Sequence, residues 1–397
     1  MKRIFQIIIA LIFCSVTCSA QNDTTKLEEP RVSLITCHAG SVMYELCGHT
    51  AIRVQMNGKD MAINYGLFEF QSENFALKFL KGETDYRVGA YPFDIFMRHY
   101  LAENRRVVEQ ELNLTHGQKL ELINLLNENL LPENCVYRYN YVKNNCATKP
   151  IDLIEKVVKD SIKFSYVDLE CADQWSYRDE MRYFHQNYPW YQFGIDLALG
   201  SGIDYKLSER EKMFAPEALE SLMRSAMITD STGNNVRLVK NETIINDGKP
   251  AQLPPTSFYL SPLFIFSILL VITIFISYND FNRKRVSRWF DAIIFGCFGL
   301  ASLLLTFLIF ISVNEATSPN YLYLWLNPLA FIAVIGPGIN IYRSRIVKIY
   351  HYVNIVALIL LTIILLSGIQ VGNIAFAPLL LIGLIRSITN IYLLRYY

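Results

Sequence analysis

The sequence predicts an α+β domain followed by an all-α domain of five membrane-spanning helices. Three observations lead to this prediction. Hydropathy rises sharply near residue 257, strand-like segments precede helical ones before that point, and apolar stretches long enough to cross a bilayer recur after it. The two parts of the chain must therefore face different solvents.

The overall charge is nearly balanced. The 397 residues include 37 Lys and Arg against 36 Asp and Glu, which leaves a formal net charge of +1. Because no large basic patch is present to neutralise phosphates, we expect no nucleic-acid partner.

The first 20 residues have the layout of a secretory signal peptide. Lys2 and Arg3 precede an apolar run over residues 4–13, and small residues follow at Ser19 and Ala20. We expect cleavage near Ala20. A lipobox that ends at Cys18 and an uncleaved anchor are the alternatives.

Five apolar stretches follow residue 257, each about 20 residues long, the length that crosses a hydrocarbon core. They cover 258–278, 290–313, 322–342, 349–369 and 374–394. Lys and Arg cluster in the breaks at 283–288 and 343–348 and are absent from those at 314–321 and 370–373. The positive-inside rule makes the basic breaks cytoplasmic, which places residues 21–257 on the outer side and Arg395 in the cytoplasm.

Arg386 lies within the last of these stretches, where a charge is costly. It either snorkels toward the cytoplasmic end or lines a polar cavity. We expect snorkelling.

Residues 31–228 form the predicted folded domain on the outer side. The polar segment 21–30 is interpreted as a leader, and 229–257, which holds many turn residues and Pro254-Pro255, as a tether. Stretches rich in β-formers come first, at 32–36, 49–56 and 61–70. Apolar residues at helical spacing come later, at 117–131 and 151–158.

The dipeptide Asn57-Gly58 predicts a two-residue hairpin turn that fixes the register of its two strands. Met56 then faces Lys59, and Ala51 faces Asn64. Alternate side chains form two faces, an apolar one with Ile52, Val54, Met61, Ile63 and Tyr65, and a small, polar one with His49, Ala51, Arg53, Ala62 and Asn64.

His49 is a candidate catalytic base because of its place on the second face. Asn64 is its diagonal neighbour across the hairpin, within reach of a side-chain contact. An amide beside an imidazole can hold that ring in one tautomer. We therefore expect Asn64 to orient His49; a purely structural histidine is the alternative.

The exported domain keeps five cysteines once the signal peptide is removed, namely Cys37, Cys47, Cys135, Cys146 and Cys171. In an oxidising compartment an odd number leaves one thiol that pairs with another chain or stays free and reactive. Cys146 is favoured because it lies in Asn-Asn-Cys-Ala-Thr just before the helical pattern at 151–158. A helix N-terminus lowers the pKa of a thiol and offers N–H groups for an oxyanion. An inert or disulfide-bonded Cys146 is the alternative, and Pro150 suggests a helix that begins irregularly or at Thr148.

The remaining candidates are weaker. His38 lies beside Cys37, but no cluster has the spacing of a zinc site, so we expect no metal. Asp196 and Asp204 are either a carboxylate pair or loop caps, and capping is favoured. The aromatic run of Tyr183, Phe184, Tyr188, Trp190, Tyr191 and Phe193 suits an acyl-chain groove, a lip at the membrane or a packed satellite core.

Three segments carry a resemblance to a known family: Cys47-Gly48-His49-Thr50-Ala51-Ile52-Arg53-Val54, Asn64-Tyr65-Gly66 and Asn145-Cys146-Ala147-Thr148. The sequence resembles the Lnb-type lipoprotein N-acyltransferases over about 31–228, including 194–200, and more loosely over the membrane half. Their exported domain is similar to permuted papain-like folds such as lecithin:retinol acyltransferase, in which histidine precedes cysteine. The resemblance implies Cys146 as nucleophile and His49 as base. Asn64 as the orienting member follows from the hairpin register alone.

The resemblance also implies a reaction and a place for it. An acyl chain would pass from a membrane phospholipid to Cys146, and then to the α-amine of an S-diacylglyceryl-cysteine lipoprotein, without a cofactor. The enzyme would lie in the inner membrane with its catalytic domain on the periplasmic face. A cysteine peptidase or amidase that acts on cell-wall peptides is the main alternative, and a non-enzymatic envelope module with a structural Cys146 is the second.

Overall fold

A computed structural model of the protein describes residues 29–68, 74–159, 162–164, 174–230, 232–249, 255–335 and 341–394. The predicted signal peptide, most of the predicted leader, Cys171 and Arg395 lie outside these residues. The described part is α+β before residue 250 and helical after 258.

The exported part is built on a seven-stranded antiparallel sheet in the order β6-β4-β3-β2-β1-β5-β9. A separate two-stranded sheet pairs β7 with β8. The strands are β1 (Arg31–Cys37), β2 (His49–Met56), β3 (Lys59–Leu67), β4 (Asp85–Pro92), β5 (Arg106–Leu112), β6 (Val136–Arg138), β7 (Met227–Thr229), β8 (Asn235–Arg237) and β9 (Val239–Asp247).

The predicted hairpin register is confirmed. Met56 pairs with Lys59 and Ala51 with Asn64. Asn57 and Gly58 have φ angles of 51° and 72°, the left-handed values that a type I′ turn requires at both central positions. The twofold alternation of side chains in β2 and β3 is therefore the one that the sequence indicates.

Eight helices of the exported part are described. They are α1 (Phe75–Lys81), α2 (Phe93–Ala102), α3 (His116–Leu130), α4 (Thr148–Val158), α5 (Tyr177–His185), α6 (Pro189–Ala198), α7 (Glu209–Lys212) and α8 (Pro216–Ser225). Helices α3 and α4 correspond to the helical patterns predicted at 117–131 and 151–158, and α4 begins at Thr148.

Helices cover both faces of the hairpin. The apolar face packs with α3, α4 and α8 in one core that contains Ile52, Ile63 and Tyr65. The other face was expected to be small and polar, but α2 buries it in a second cluster that contains Ala51 and Ala62. The amphipathic pattern of α2 supplies this cover, so His49 and Asn64 lie in a largely apolar environment.

The predicted tether is partly folded. Strand β9 pairs with β5 along its length, so the sheet extends to Asp247 instead of ending at residue 228. Most side chains of β9 are polar and exposed, as is common on an edge strand. This polar composition is the reason that the sequence predicts a tether here and not a strand.

Four long apolar helices are described in the C-terminal part. They are α9 (Pro262–Arg283), α10 (Arg288–Phe310), α12 (Ile341–Leu366) and α13 (Phe376–Leu393), and all four are long and apolar enough to cross a membrane. They match the first, second, fourth and fifth predicted spans.

The third predicted span, 322–342, is not one continuous helix. Its described part consists of 3-10 turns at Tyr321–Leu324 and Pro328–Ala330 and the short helix α11 (Phe331–Ile335). Pro328 lies at the start of the second turn. Its ring disfavours a helical conformation at the preceding residue, Asn327, so a helix that comes before it ends there. The segment still packs among the spans, since Leu322, Trp325 and Leu326 share a buried cluster with the long helices.

Asp196 and Asp204 join the two halves of the protein instead of capping loops. The guanidinium of Arg178, which is fully buried, contacts Asp196 Oδ1 at 3.0 Å and Asp204 Oδ1 at 2.5 Å. The other oxygens of these carboxylates accept hydrogen bonds from Asn373 Nδ2 at 2.8 Å and from the Val371 backbone N–H at 3.0 Å. Both acceptors therefore hold the loop between α12 and α13.

The expectation that Arg386 snorkels is wrong. Its side chain is fully buried, and it contacts Asp291 Oδ1 at 2.6 Å and Asp280 Oδ2 at 2.9 Å. Ser277 Oγ accepts a further hydrogen bond from Arg386 at 3.0 Å. Two carboxylates at the ends of α9 and α10 thus stabilise the charge inside the packed helices.

Candidate active site

His49 and Asn64 are in contact, at the end of the β2–β3 hairpin that lies opposite the turn. His49 Nε2 and Asn64 Oδ1 are 3.0 Å apart, and Asn64 is only 2% exposed. Because an amide oxygen can only accept, the Nε2–H group donates this bond. The neutral ring then carries its lone pair on Nδ1, the nitrogen that can accept a proton.

The environment keeps His49 uncharged. Burial lowers the pKa of His49 to about 4, although the hydrogen bond to Asn64 opposes this shift. The positive charge of Arg105 lowers the pKa further. At neutral pH the imidazole is therefore a free base.

Cys146 is positioned by the residue before it. Asn145 is 4% exposed, and its Oδ1 accepts hydrogen bonds from the N–H groups of Ala147 at 2.8 Å and Thr148 at 2.9 Å. Its Nδ2 donates to the carbonyls of Tyr141 at 2.7 Å and Phe214 at 2.8 Å. These bonds fix the start of α4 and hold Cys146 against the sheet.

The point of contact with the sheet is Gly66. A Cβ on Gly66 would lie 3.5 Å from Cys146 Cβ, and the φ of Gly66 is +88°, a conformation that disfavours other residues. The backbone N–H of Thr50, the residue after His49, lies close enough to Cys146 Sγ to lower the pKa of the thiol by hydrogen bonding. Cys146 and His49 therefore lie at the same end of the hairpin.

Cys146 is not a preformed thiolate. Burial raises its pKa to about 11, and this effect outweighs the hydrogen bonds from the N–H groups of Thr50, Cys146 and Ala147, which lower the pKa. The sequence predicted a lowered pKa from the helix N-terminus alone. With His49 also uncharged, the resting pair consists of a thiol and a neutral imidazole.

The other described cysteines of the exported part are also free. Cys37, Cys47 and Cys135 make no disulfide with one another or with Cys146. Cys47 Sγ lies 3.0 Å from the hydroxyl of Tyr141, and burial raises the pKa of the Cys47 thiol to about 12. Cys171, the fifth thiol of the sequence count, is not among the described residues.

His38 and the aromatic run lie elsewhere. His38 Nε2 is 2.9 Å from Glu220 Oε2, which gives it an acidic partner on α8. The aromatic run divides, since Phe184 packs in a satellite core and Phe193 packs with Phe266 and Phe376 of the spans. Neither His38 nor Phe193 makes a described contact with Cys146.

One group of possible metal ligands occurs among the described residues, formed by Glu45, His99 and Glu103. Arg105 Nη1 already contacts Glu45 at 3.2 Å and Glu103 at 3.4 Å. The guanidinium of Arg105 therefore compensates the negative charges of Glu45 and Glu103. The sequence did not indicate the roles of Arg105 or of the anchoring bonds of Asn145, because each matters through contacts between distant segments.

Two family models match this chain. The model of the Lnb N-terminal periplasmic domain matches residues 17–178, and the model of the Lnb transmembrane domain matches residues 254–396. No curated protein and no solved structure matches. The two matches follow one another in the order of the two halves described above and cover most of the chain. This membrane protein with a periplasmic domain therefore belongs to the Lnb family.

Proposed function

We propose that the protein is a lipoprotein N-acyltransferase that carries a fatty acyl chain on Cys146. The observation that supports this most strongly is the 3.0 Å contact between His49 Nε2 and Asn64 Oδ1, which leaves Nδ1 free as a base at the end of the hairpin where Cys146 lies. Membership of the Lnb family supports the reaction class.

In the first half-reaction, His49 Nδ1 takes the proton of the Cys146 thiol as sulfur attacks the carbonyl carbon of a phospholipid ester. The N–H groups of Thr50 and Cys146 face the sulfur and are suited to stabilise the oxyanion. The ester C–O bond then breaks, and the lysophospholipid leaves with the proton from His49. Cys146 is left as a thioester.

In the second half-reaction, the neutral α-amine of an S-diacylglyceryl-cysteine lipoprotein attacks the thioester carbon. The C–S bond breaks, and the amine proton passes through His49 to the sulfur. The products are an amide and the original thiol. A neutral His49 suits both steps because the imidazole can accept a proton in each.

We further propose that the exported domain has a permuted papain-like fold. The base lies on strand β2 and the nucleophile before helix α4, so histidine precedes cysteine in the chain. Asn64 takes the place of the group that orients the imidazole. This arrangement of roles is that of a Cys-His-Asn site, which is recognised by geometry and not by order.

The inner membrane is the proposed location, with the catalytic domain on the periplasmic face. Both substrates are membrane lipids, so an enzyme confined beside the bilayer meets each at a high effective concentration. The hydrogen bonds from Asn373 and Val371 to Asp196 of α6 and to Asp204, just after α6, support this placement.

The test is to incubate purified protein with phospholipid and a diacylglyceryl-cysteine peptide and to follow the peptide by mass spectrometry. The proposal predicts one added acyl chain on the peptide amine, and none with Cys146→Ala. Release of a peptide fragment would instead identify a peptidase or amidase. An unmodified peptide together with an intact phospholipid would contradict any acyl transfer between the two.

A further inference from the structure

Helix α1 is attached to the outer end of a membrane span. The backbone N–H of Val313, just after α10, donates a hydrogen bond to the carbonyl of Lys81 at 2.9 Å. The next residue, Gly82, has a φ of +74°, and a Cβ there would lie 3.0 Å from Asn314 N. This close approach fixes α1 at the level where α10 leaves the bilayer.

The surface of α1 is that of an interfacial helix. None of its seven residues is buried, and Leu77 and Phe79 are 52% and 48% exposed. Phe310 and Val313 at the end of α10 are 67% and 61% exposed. The apolar surface of the span thus continues onto α1. Lys78 of α1 adds positive charge of the kind that favours lipid phosphates, whereas Lys81 pairs with Glu83 at 2.9 Å.

From α1 a series of aromatic rings leads to Cys146. We define the aromatic row as Phe79, Phe75, Phe68, Tyr86 and Tyr139. Successive ring centroids are 6.1, 5.8, 5.0 and 3.9 Å apart, and each pair is stacked. At the far end, Tyr139 Cε2 and Cys146 Cβ lie 3.9 and 3.5 Å from the position that a Cβ on Gly66 would take.

The aromatic row is not sealed inside a core. Tyr86 is buried, but Phe68, Phe75, Tyr139 and Cys146 each keep part of their surface exposed. Tyr44, on the loop between β1 and β2, is 61% exposed and lies 6.0 Å from the Phe68 ring. An open apolar strip therefore runs from the end of a span to the candidate nucleophile.

We propose that α1 and the aromatic row bind the donor phospholipid, with α1 lying in the outer leaflet and the row carrying the acyl ester to Cys146. This inference rests on the proposed function, since it assigns the donor route of the same site. The ester of a bilayer lipid lies at the interface, and a continuous apolar surface lets it reach the thiol without exposing its acyl chain to water.

The first test detects lipid binding without catalysis. The photoreactive residue p-benzoylphenylalanine is placed at position 79 of the full chain in phosphatidylethanolamine and phosphatidylglycerol vesicles, and cross-links are analysed by mass spectrometry. Position 244 is the matched control, because Ile244 is 46% exposed on β9, at the opposite edge of the sheet from β4 and β6. We expect phospholipid adducts at position 79 and not at 244. Equal labelling at both positions, or none at 79, would overturn the proposal.

The second test separates the lipid route from the chemistry. Leu77→Asp combined with Phe79→Asp should slow formation of the Cys146 thioester from vesicle phospholipid by roughly tenfold or more, since two apolar side chains no longer enter the leaflet. Acylation of Cys146 by p-nitrophenyl acetate, a small soluble ester, should be unchanged, as should both reactions of Ile244→Asp. An equal loss with the two esters would contradict the proposal. A cross-link at position 79 in a protein that never acylates a peptide would support the lipid site and refute only the proposed acceptor.

Discussion

At the scale of single residues, the proposed chemistry depends on the protonation states of His49 and Cys146 before substrate binds. The pKa of His49 is lowered to about 4 and that of Cys146 is raised to about 11, both mainly by burial. An ion pair between thiolate and imidazolium would need the opposite shifts. The site is therefore expected to generate its thiolate only as the substrate reacts.

Alkylation of the free enzyme tests this resting state. Iodoacetamide should modify Cys146 slowly at pH 7 and steadily faster toward pH 10, since the thiolate fraction grows until the pH reaches about 11. Modified peptides identified by mass spectrometry separate Cys146 from the other thiols. A fast plateau between pH 5 and 8 that disappears in His49→Ala would indicate an ion pair and contradict the prediction.

Asn64 is a positioning residue in this account. Asn64→Ala should lower kcat by roughly 10²-fold, because the imidazole loses the partner that fixes its tautomer. Asn64→Asp should restore much of the rate and move the acid limb of the pH profile upward, since a carboxylate beside His49 raises the pKa of the imidazole. Unchanged kcat in Asn64→Ala, or an acid limb that does not move in Asn64→Asp, would remove Asn64 from the site.

At the scale of elements, the sequence predicts what depends on local pattern. The register of β2 and β3 follows from Asn57-Gly58, and the start of α4 at Thr148 is one of the two that Pro150 suggests. A local sequence pattern does not show which distant segments will bury a side chain. Cover by α2 and the pairing of β9 with β5 are long-range events, which is why the environment of His49 and the end of the sheet were not anticipated.

The four hydrogen bonds of the Asn145 side chain suggest a test of the α4 N-terminus. Asn145→Ala should lower the free energy of unfolding by about 1–3 kcal/mol, because buried N–H and carbonyl groups lose their partners. Its acyl transfer should fall more than that of Asn144→Ala, the matched control, whose amide donates one described bond to Arg138. Thermal unfolding and turnover of the two variants decide this. Equal behaviour would contradict the anchoring role of Asn145.

At the scale of the whole molecule, buried charges join elements that the chain keeps far apart. Arg178 pairs with Asp196 and Asp204, whose other oxygens bind the loop between α12 and α13. Arg386 binds α13 to α9 and α10. From the sequence, Arg386 is recognisable only as a charge within an apolar stretch. The partners of both arginines are distant along the chain and become visible only in the folded structure. Because the exported domain is held against the spans, the end of the hairpin that carries His49 keeps a fixed position relative to the membrane helices.

Arg178→Met tests the joint between the halves. It should destabilise the protein by about 3–5 kcal/mol, since Asp204 would stay buried without its cation and Asp196 would keep only Arg182. Arg138→Met, which removes a half-exposed pair with Asp85, should cost at most about 1 kcal/mol. Thermal unfolding in detergent compares the two variants. Similar losses of stability in both would mean that the Arg178 cluster does not hold the domains together.

The most direct test of the central claim is to find the acyl group on the enzyme. Wild-type protein is held with phospholipid and no amine acceptor, digested, and mapped by mass spectrometry, and a second portion is treated with hydroxylamine. We expect an acyl thioester on Cys146 and release of a fatty acyl hydroxamate, and neither product with Cys146→Ala or His49→Ala. An acyl group on Cys37, Cys47, Cys135 or Cys171, or continued transfer by Cys146→Ala, would contradict it.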